Sequence, residues 1–260
     1  LQCGRGADAP YMFYTSGSTG LPKGVLLTQS SGANLATWCA FNEFRACSFD
    51  GVLLQSSISF DILPVVLFWS LHEQARVCVV DDGSELNAKQ LLSTMARARV
   101  SFLLVVPSHF ANVLGQAEQT DLQYVRLLMF GGEKLSLTLS AQCEHVVRNS
   151  QLWNLCGPTE ATTLVMYFSA LTEHARVLRA VNSSAPVGKA TFNNAHALRN
   201  ATLMLTGRSV GAGYKNLSGQ TKTKFVHDAQ INDGYARMYD SGDKTEFLET
   251  GDLLYLGRAD

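Results

Sequence analysis

Between Tyr14 and Gly24 the chain reads Tyr-Thr-Ser-Gly-Ser-Thr-Gly-Leu-Pro-Lys-Gly. Thr15, Ser16, Gly17, Ser18, Thr19 and Gly20 offer hydroxyls and unhindered backbone N–H groups, and Lys23 adds a point positive charge. A loop of this kind wraps polyphosphate. It is not the loop of P-loop ATPases and kinases, which needs Gly-Lys-Ser/Thr, whereas here Pro22 precedes Lys23. Two more Gly-rich turns follow, Gly131-Gly132-Glu133 and Gly157-Pro158-Thr159-Glu160. The six cysteines (Cys3, Cys39, Cys47, Cys78, Cys143 and Cys156) show no CxxC spacing, and the six histidines are equally scattered. That pattern speaks against a zinc site and a disulfide framework, and it suits small core residues in a reducing, cytoplasmic setting.

The elements that must position these loops alternate. Apolar runs at Tyr11–Thr15, Val52–Ser56, Arg76–Val80, Phe102–Val106, Val125–Phe130 and Leu152–Cys156 read as strands. Helical spacing marks Ser31–Phe44, Phe60–His72, Asn87–Ala98, a segment opening at Pro107, and Leu137–Arg148. Pro64 falls in a first helical turn, where a missing N–H costs little. The expected fold is α/β, a mostly parallel sheet flanked by helices, over residues 1–170. Ligands of such sheets bind beyond the carboxyl ends of the strands, where the three Gly-rich loops fall. After about Thr172 helical periodicity weakens. Short strand-like runs at Leu203–Leu205, Thr245–Leu248 and Leu253–Leu256 predict a smaller β-rich subdomain over residues 171–260, with Thr250-Gly251-Asp252 as a hairpin turn.

With 46% hydrophobic residues the chain can bury a real core, and a net charge of −1 offers no pull toward nucleic acid or anionic membrane. The longest apolar stretch, near Ile62–Trp69, is too short to span a bilayer, and no signal peptide is visible. The chain opens on Leu1 rather than Met, as a fragment or a processed piece would.

The Tyr14–Gly24 string resembles the phosphate loop of the adenylate-forming superfamily, which covers adenylation domains, acyl-CoA synthetases and luciferases. Further segments fall in that family's order: Gly131-Gly132-Glu133, Asn154-Leu-Cys-Gly-Pro-Thr-Glu160, Pro186-Val187-Gly188, Gly211-Ala-Gly-Tyr214, Tyr239-Asp-Ser-Gly-Asp243 and Tyr255-Leu-Gly-Arg-Ala-Asp260. The resemblance implies that ATP and a carboxylate give an acyl-adenylate and pyrophosphate. It places Gly132, Glu133, Asn154, Cys156 and Gly157 around adenine, Asp243 on the ribose hydroxyls with Arg258 nearby, and Asp260 at the hinge to a C-terminal subdomain. It makes Lys23, Thr159 and Glu160 catalytic, with Thr159 donating to the α-phosphate and Glu160 holding Mg²⁺. Asp252 also follows Thr-Gly, but Tyr239 precedes Asp243 at the family spacing, so Asp243 is preferred.

Ser57-Ile-Ser-Phe60-Asp61 resembles the Phe-Asp motif of amino-acid-activating domains, in which the Asp pairs with the substrate's α-ammonium. Taken alone, Asp61 also suits the N-cap of the helix that follows. Counting from the matched motifs, the substrate pocket is lined by Asp61, Ile62, Val65, Val105, Met129, Gly131, Leu155, Thr163 and Leu164. A charged substrate side chain would lack a partner there, so an apolar amino acid is expected. The partner is then a peptidyl carrier protein whose phosphopantetheine takes the aminoacyl group. The alternatives are carboxylate activation of the acyl-CoA synthetase kind and a silent nucleotide-binding fragment. The chain departs from the pattern at Cys156, where the family has an aromatic residue against adenine, at Leu63 and Val66, at Ser241, and in a shortened stretch at Thr191–Leu203. The family's transition-state lysine lies in the subdomain beyond the hinge, so the isolated core is expected to bind ATP and react slowly.

Overall fold

The computed structural model describes residues 9–16, 20–41, 50–80, 87–118, 120–147, 150–171, 184–227 and 237–259. Cys3, Gly17, Ser18, Thr19, Cys47 and Asp260, with the last residues of two expected helices, lie outside the described residues.

The expected α/β core is present. A seven-stranded sheet runs β4 (Arg76–Val79), β3 (Gly51–Leu54), β5 (Val100–Val105), β6 (Leu127–Phe130), β7 (Gln151–Cys156), β8 (Met166–Ser169) and β9 (Lys189–Ala190). It is parallel from β4 through β7, and antiparallel at β7–β8 and β8–β9. Side chains of a strand alternate between faces, and here the alternation separates two cores. Leu103, Val105, Leu128 and Phe130 join the cluster under α3 (Ala88–Arg97), α4 (Pro107–Leu114) and α5 (Leu137–Val146). Phe102, Leu104, Leu127 and Met129 join the cluster under α1 (Gln29–Phe41) and α2 (Leu63–Glu73), where the rings of Trp69 and Phe102 meet.

The helices begin where their chemistry allows. Thr28 and Ser31 cap α1 reciprocally, each side-chain oxygen accepting from the other's backbone N–H. Asn87 accepts from Gln90 N at α3, and Ser136 from Leu139 N at α5. Pro107 opens α4 and Pro64 sits in the first turn of α2. The helix expected from Phe60 starts only at Leu63, and residues 57–62 form turns.

The strand that leads into the phosphate loop departs from expectation. β1 (Tyr11–Thr15) is not a strand of the parallel sheet. It forms a hairpin with β2 (Lys23–Leu27), and β12 (Gly213–Tyr214) adds to β2. A single apolar run before a Gly-rich loop carries no sign of which sheet it will join. A third sheet has the order β10 (Asn194–Arg199), β11 (Thr202–Gly207), β14 (Arg237–Phe247) and β13 (Phe225–His227), with β15 (Leu253–Arg258) also on β14, and α6 (Ser218–Lys224) precedes β13. The stretch read as shortened is a hairpin whose tight turn, Asn200–Ala201, has φ of 51° and 60°. The Thr250–Asp252 turn joins β14 to β15 as expected. Strands from both sides of residue 170 share two of the three sheets, and the division there stands as a proposal.

Gly188 pins this assembly together. Its φ is +78°, its N–H reaches Leu253 O, and a β-carbon would collide with the carbonyl of Tyr167. Gly188→Ala should lower the unfolding free energy by about 2 kcal/mol or more. Gly251→Ala is the control, because φ is +81° there but nothing lies within 4 Å, so only the left-handed backbone penalty of about 1–2 kcal/mol applies. Thermal unfolding of the two variants measures the difference, and equal losses would contradict it.

Candidate active site

The site forms where β7 ends. Asn154 and Cys156 point to one side of β7 and Trp153 and Leu155 to the other, where the latter two join the α1/α2 core. On the Asn154 side lies a cavity of about 240 Å³. Gly132, Glu133, Asn154, Cys156, Gly157 and Asp243, all expected near adenine or ribose, line it together. Gly132 has φ of +82°, which lets the β6 loop turn beneath the cavity. Asn154 is 3% exposed. Its Nδ2 donates to Pro186 O at 2.7 Å, while its Oδ1 is buried with no partner. An orphaned acceptor on a cavity wall suits an amino group of a bound base.

Asp243 reaches the cavity through a kink in β14. Gly242 takes φ of +72°, Asp240 Oδ1 accepts from Gly242 N, and Ser241 Oγ accepts from Asp243 N, each at 3.0 Å. Arg258 Nη1 donates to Asp243 Oδ1 at 3.0 Å and to Ser241 O at 2.8 Å. The two residues are register partners on β14 and β15. The strand-like run expected at Thr245–Leu248 is the end of a longer strand of 11 residues, which also contains Tyr239–Asp243. Asp-Ser-Gly-Asp has turn chemistry, but here it serves a bulge that aims a side chain.

Burial pushes the Cys156 thiol up to about 12, with the charge of Asp243 adding to the shift, so the thiol stays protonated and a weak nucleophile. Tyr255, missed from sequence, is the one aromatic ring among the described lining residues. Its signal was available, since it opens the quoted hinge motif. Glu133 also has a structural role, accepting from the Ser108 N–H and hydroxyl at 3.0 and 2.9 Å at the start of α4.

On the far side of the β7 turn stands an acidic cluster. Asp61 is not the N-cap of α2. That position is Ile62, in helical conformation and without a side-chain cap bond. Thr159 Oγ1 donates instead to Asp61 Oδ2 at 2.5 Å, and Thr163 Oγ1 donates to Asp61 O at 2.8 Å. Thr162 and Thr163 both adopt left-handed backbone, φ 58° and 68°, an unfavourable state for β-branched residues. Thr162 is held by its own hydroxyl bond to Ser209 O at 2.7 Å. Glu160 is 8% exposed and accepts from Tyr214 Oη at 2.7 Å. Tyr239 shares hydrogen bonds with Tyr214 and Glu160, and burial pushes both phenols up, with the Glu160 charge adding to each rise.

Lys23 lies on β2 opposite Thr15, with Nζ 5.3 Å from the Tyr214 ring centroid. Ser16 and Gly20 flank the loop, and Gly20 is exposed. Ile62, Val65, Met129, Leu155 and Leu164 lie together in the α1/α2 core beside Asp61, with Val65 and Met129 fully buried. Val105 is not brought to them, because it faces the opposite core cluster. Gly131 sits at the end of β6, its N–H bonded to Val105 O. Among the described residues no three His, Cys, Asp or Glu side chains cluster to hold a metal. A hard cation that brings phosphate ligands needs one or two carboxylates from the protein, which Glu160 fits. Among the described residues no helix is long and apolar enough to cross a membrane.

The profile of the AMP-binding enzymes matches residues 3–213, and the chain belongs to that family. It is 31% identical over 271 residues to vanchrobactin synthetase VabF of Vibrio anguillarum, covering 98% of this chain and 9% of that protein. It is 28% identical over 267 residues to tyrocidine synthase 2 of Brevibacillus parabrevis, covering 98% and 7%. The chain thus spans less than a tenth of the length of these curated relatives. Among solved structures, PA1221, a nonribosomal peptide synthetase protein containing adenylation and PCP domains, superposes with a TM-score of 0.83 at 24% identity over 96% of this chain and 51% of that one. The AMPPNP-bound form of the nonribosomal peptide synthetase FmoA3 gives 0.85 at 22% identity over 97% and 27%. At these identities the structural likeness is one of fold.

Burial raises the Asp61 carboxyl above the ordinary aspartate range. The Thr159 and Thr163 hydrogen bonds oppose the rise and the Glu160 charge adds to it. The folded protein therefore holds this proton where the unfolded chain has released it, and stability falls as pH rises from about 4 through the raised value. Asp61→Asn should unfold at a higher temperature than the parent near neutral pH, with the gap closing toward about pH 4. Thermal melts across that range test the sign, and a variant less stable at neutral pH would overturn it.

Proposed function

We propose that this chain is the core of an amino-acid adenylation domain of a nonribosomal peptide synthetase. An amino-acid carboxylate oxygen attacks the α-phosphorus of ATP, the bond to the bridging oxygen breaks, and pyrophosphate leaves with the aminoacyl-adenylate formed. The thiol of a carrier-protein phosphopantetheine then attacks the acyl carbon and AMP departs. The observation that carries this reading is the hydrogen bond from Thr159 to Asp61 beside the cavity lined by Asn154, Gly157 and Asp243. It sets a candidate ammonium-binding carboxylate next to a candidate nucleotide site, as joining the two substrates requires.

In this reading Asn154 meets the adenine amino group and Asp243, steadied by Arg258, takes the ribose hydroxyls. Lys23 and the loop at Thr15, Ser16 and Gly20 take the β- and γ-phosphates, Thr159 turns to the α-phosphate, and Glu160 holds Mg²⁺. Asp61 pairs with the α-ammonium. Ile62, Leu155 and Leu164 beside it favour an apolar side chain. The setting is cytoplasmic, and the partner is a peptidyl carrier protein.

Amino-acid-dependent exchange of pyrophosphate into ATP by the full-length protein tests the reading. Exchange with an apolar amino acid, lost in Asp61→Ala, is the expected result. Exchange with no amino acid would sink it, and activity on simple carboxylates untouched by Asp61→Ala would favour the acyl-CoA synthetase type. A further expectation concerns Cys156. Cys156→Tyr restores a ring on the cavity wall and should tighten ATP binding by about tenfold, measured by calorimetric titration. Unchanged or weaker binding would show that Tyr255 and the backbone already supply the contact.

A further inference from the structure

We infer that Tyr214 is a positioning residue for the phosphate end of this site: its hydroxyl fixes the Glu160 carboxylate, and its ring carries the Lys23 ammonium. The inference rests on the nucleotide-binding reading above and adds a residue to it. The two groups it joins come from distant parts of the chain. Lys23 lies on the strand leaving the phosphate loop and Glu160 on the turn after β7, 137 positions apart (160 − 23). Tyr214 touches both. Its Oη donates to Glu160 Oε1 at 2.7 Å, and Lys23 Nζ stands 5.3 Å from its ring centroid, within cation–π range.

Tyr214 is itself held on all sides. It is 6% exposed and pairs with Val25 across the β2–β12 ladder, two residues along from Lys23 and so on the same face of β2. Thr221 Oγ1 accepts from its N–H at 3.0 Å, and Phe225 packs edge-on against its ring at 5.4 Å. Gly213 before it has φ of +127°, and a β-carbon there would collide with Thr221. The backbone of the preceding turn is also tied to the Glu160 turn, with Gly211 N donating to Glu160 O at 2.8 Å. The two-residue strand β12 is therefore anchored to the strand behind Lys23 and to the turn that bears Glu160. A carboxylate removed from water needs donors to hold one orientation, and a lysine with its long flexible stem gains order from a fixed ring face. One rigid aromatic side chain meets both needs.

The experiment compares Tyr214→Phe, Tyr214→Leu and Glu160→Gln in the full-length protein, with ATP binding followed by calorimetry with and without Mg²⁺. Tyr214→Phe keeps the ring and loses the hydroxyl. The Mg²⁺ concentration for half-maximal ATP binding should rise about tenfold, with metal-free ATP binding changed less than about twofold. Tyr214→Leu should weaken metal-free binding as well. A second readout needs no ligand. Tyr214→Phe leaves the Glu160 charge short of a donor and should melt earlier than the parent, and adding Tyr214→Phe to Glu160→Gln should cost clearly less than adding it to the parent. A folded Tyr214→Phe protein with the parent's Mg²⁺ dependence, or additive melting losses, would overturn the inference. A parent protein that binds no ATP would instead remove the nucleotide reading beneath it, whatever the melting cycle shows.

Discussion

A β-carbon has no room at Gly157, where it would run into the carbonyl of Thr163. The turn after β7 folds back on itself that tightly, and most of the site depends on it. Closing it places Thr162 and Thr163 in left-handed backbone, and each is held there by a hydroxyl bond, one to Ser209 O and one to Asp61 O. The Thr163 bond fixes the backbone that carries Asp61, while Thr159, at the opposite end of the same turn, grips the Asp61 carboxylate. Strained backbone has a definite consequence here: it brings residues from beyond the ends of β3 and β7 into one cluster without a long side chain to bridge them.

The electrostatics of that cluster set what it can receive. The Glu160 charge is close enough to be felt at Asp61. Among the described residues the ion pairs involve neither. Their partners are neutral hydroxyls, from Thr159 to Asp61 and from Tyr214 to Glu160. Hydroxyls satisfy lone pairs and leave the negative charge in place. A buried carboxylate whose charge is disfavoured by desolvation gains most from an arriving cation. An α-ammonium and a hard metal ion are the two cations that the proposed reaction brings, one for each carboxylate.

The core was legible because β6 is an unbroken apolar run that ends in glycine, because β5 and β7 are mostly apolar, and because α3 shows clear helical spacing. Asp243, Asn154 and Gly157 were legible because their motifs are contiguous and each falls at the end or kink of a strand. Tyr214 was present in a quoted motif, yet its contact with Glu160 spans 54 positions, a distance at which spacing carries no information. The β1–β2 hairpin was misassigned for a related reason: its third strand, β12, lies nearly two hundred residues downstream and is two residues long. Val105 was misplaced by ignoring strand parity, since its neighbour Leu104, and not Val105, shares a face with Met129 and Val65.

Parity also explains how one strand can border two candidate binding regions. Along β7, Leu152 faces the α3–α5 core while Trp153 and Leu155 face the α1/α2 core. Asn154 and Cys156 share the parity of Leu152, but beyond the helices that side opens into the cavity lined by Asp243 and Tyr255. The opposite side leads through Leu155 to Ile62, Leu164 and Asp61. The sheet is thus the wall between the two candidate binding regions, and the wall ends at Gly157. Groups on opposite faces meet only past the last strand residue, and that is where the chain puts Thr159 and Glu160. The strand gives the separation, the strained turn gives the meeting point, and the short hydrogen bond from Thr159 to Asp61 spans the gap between them.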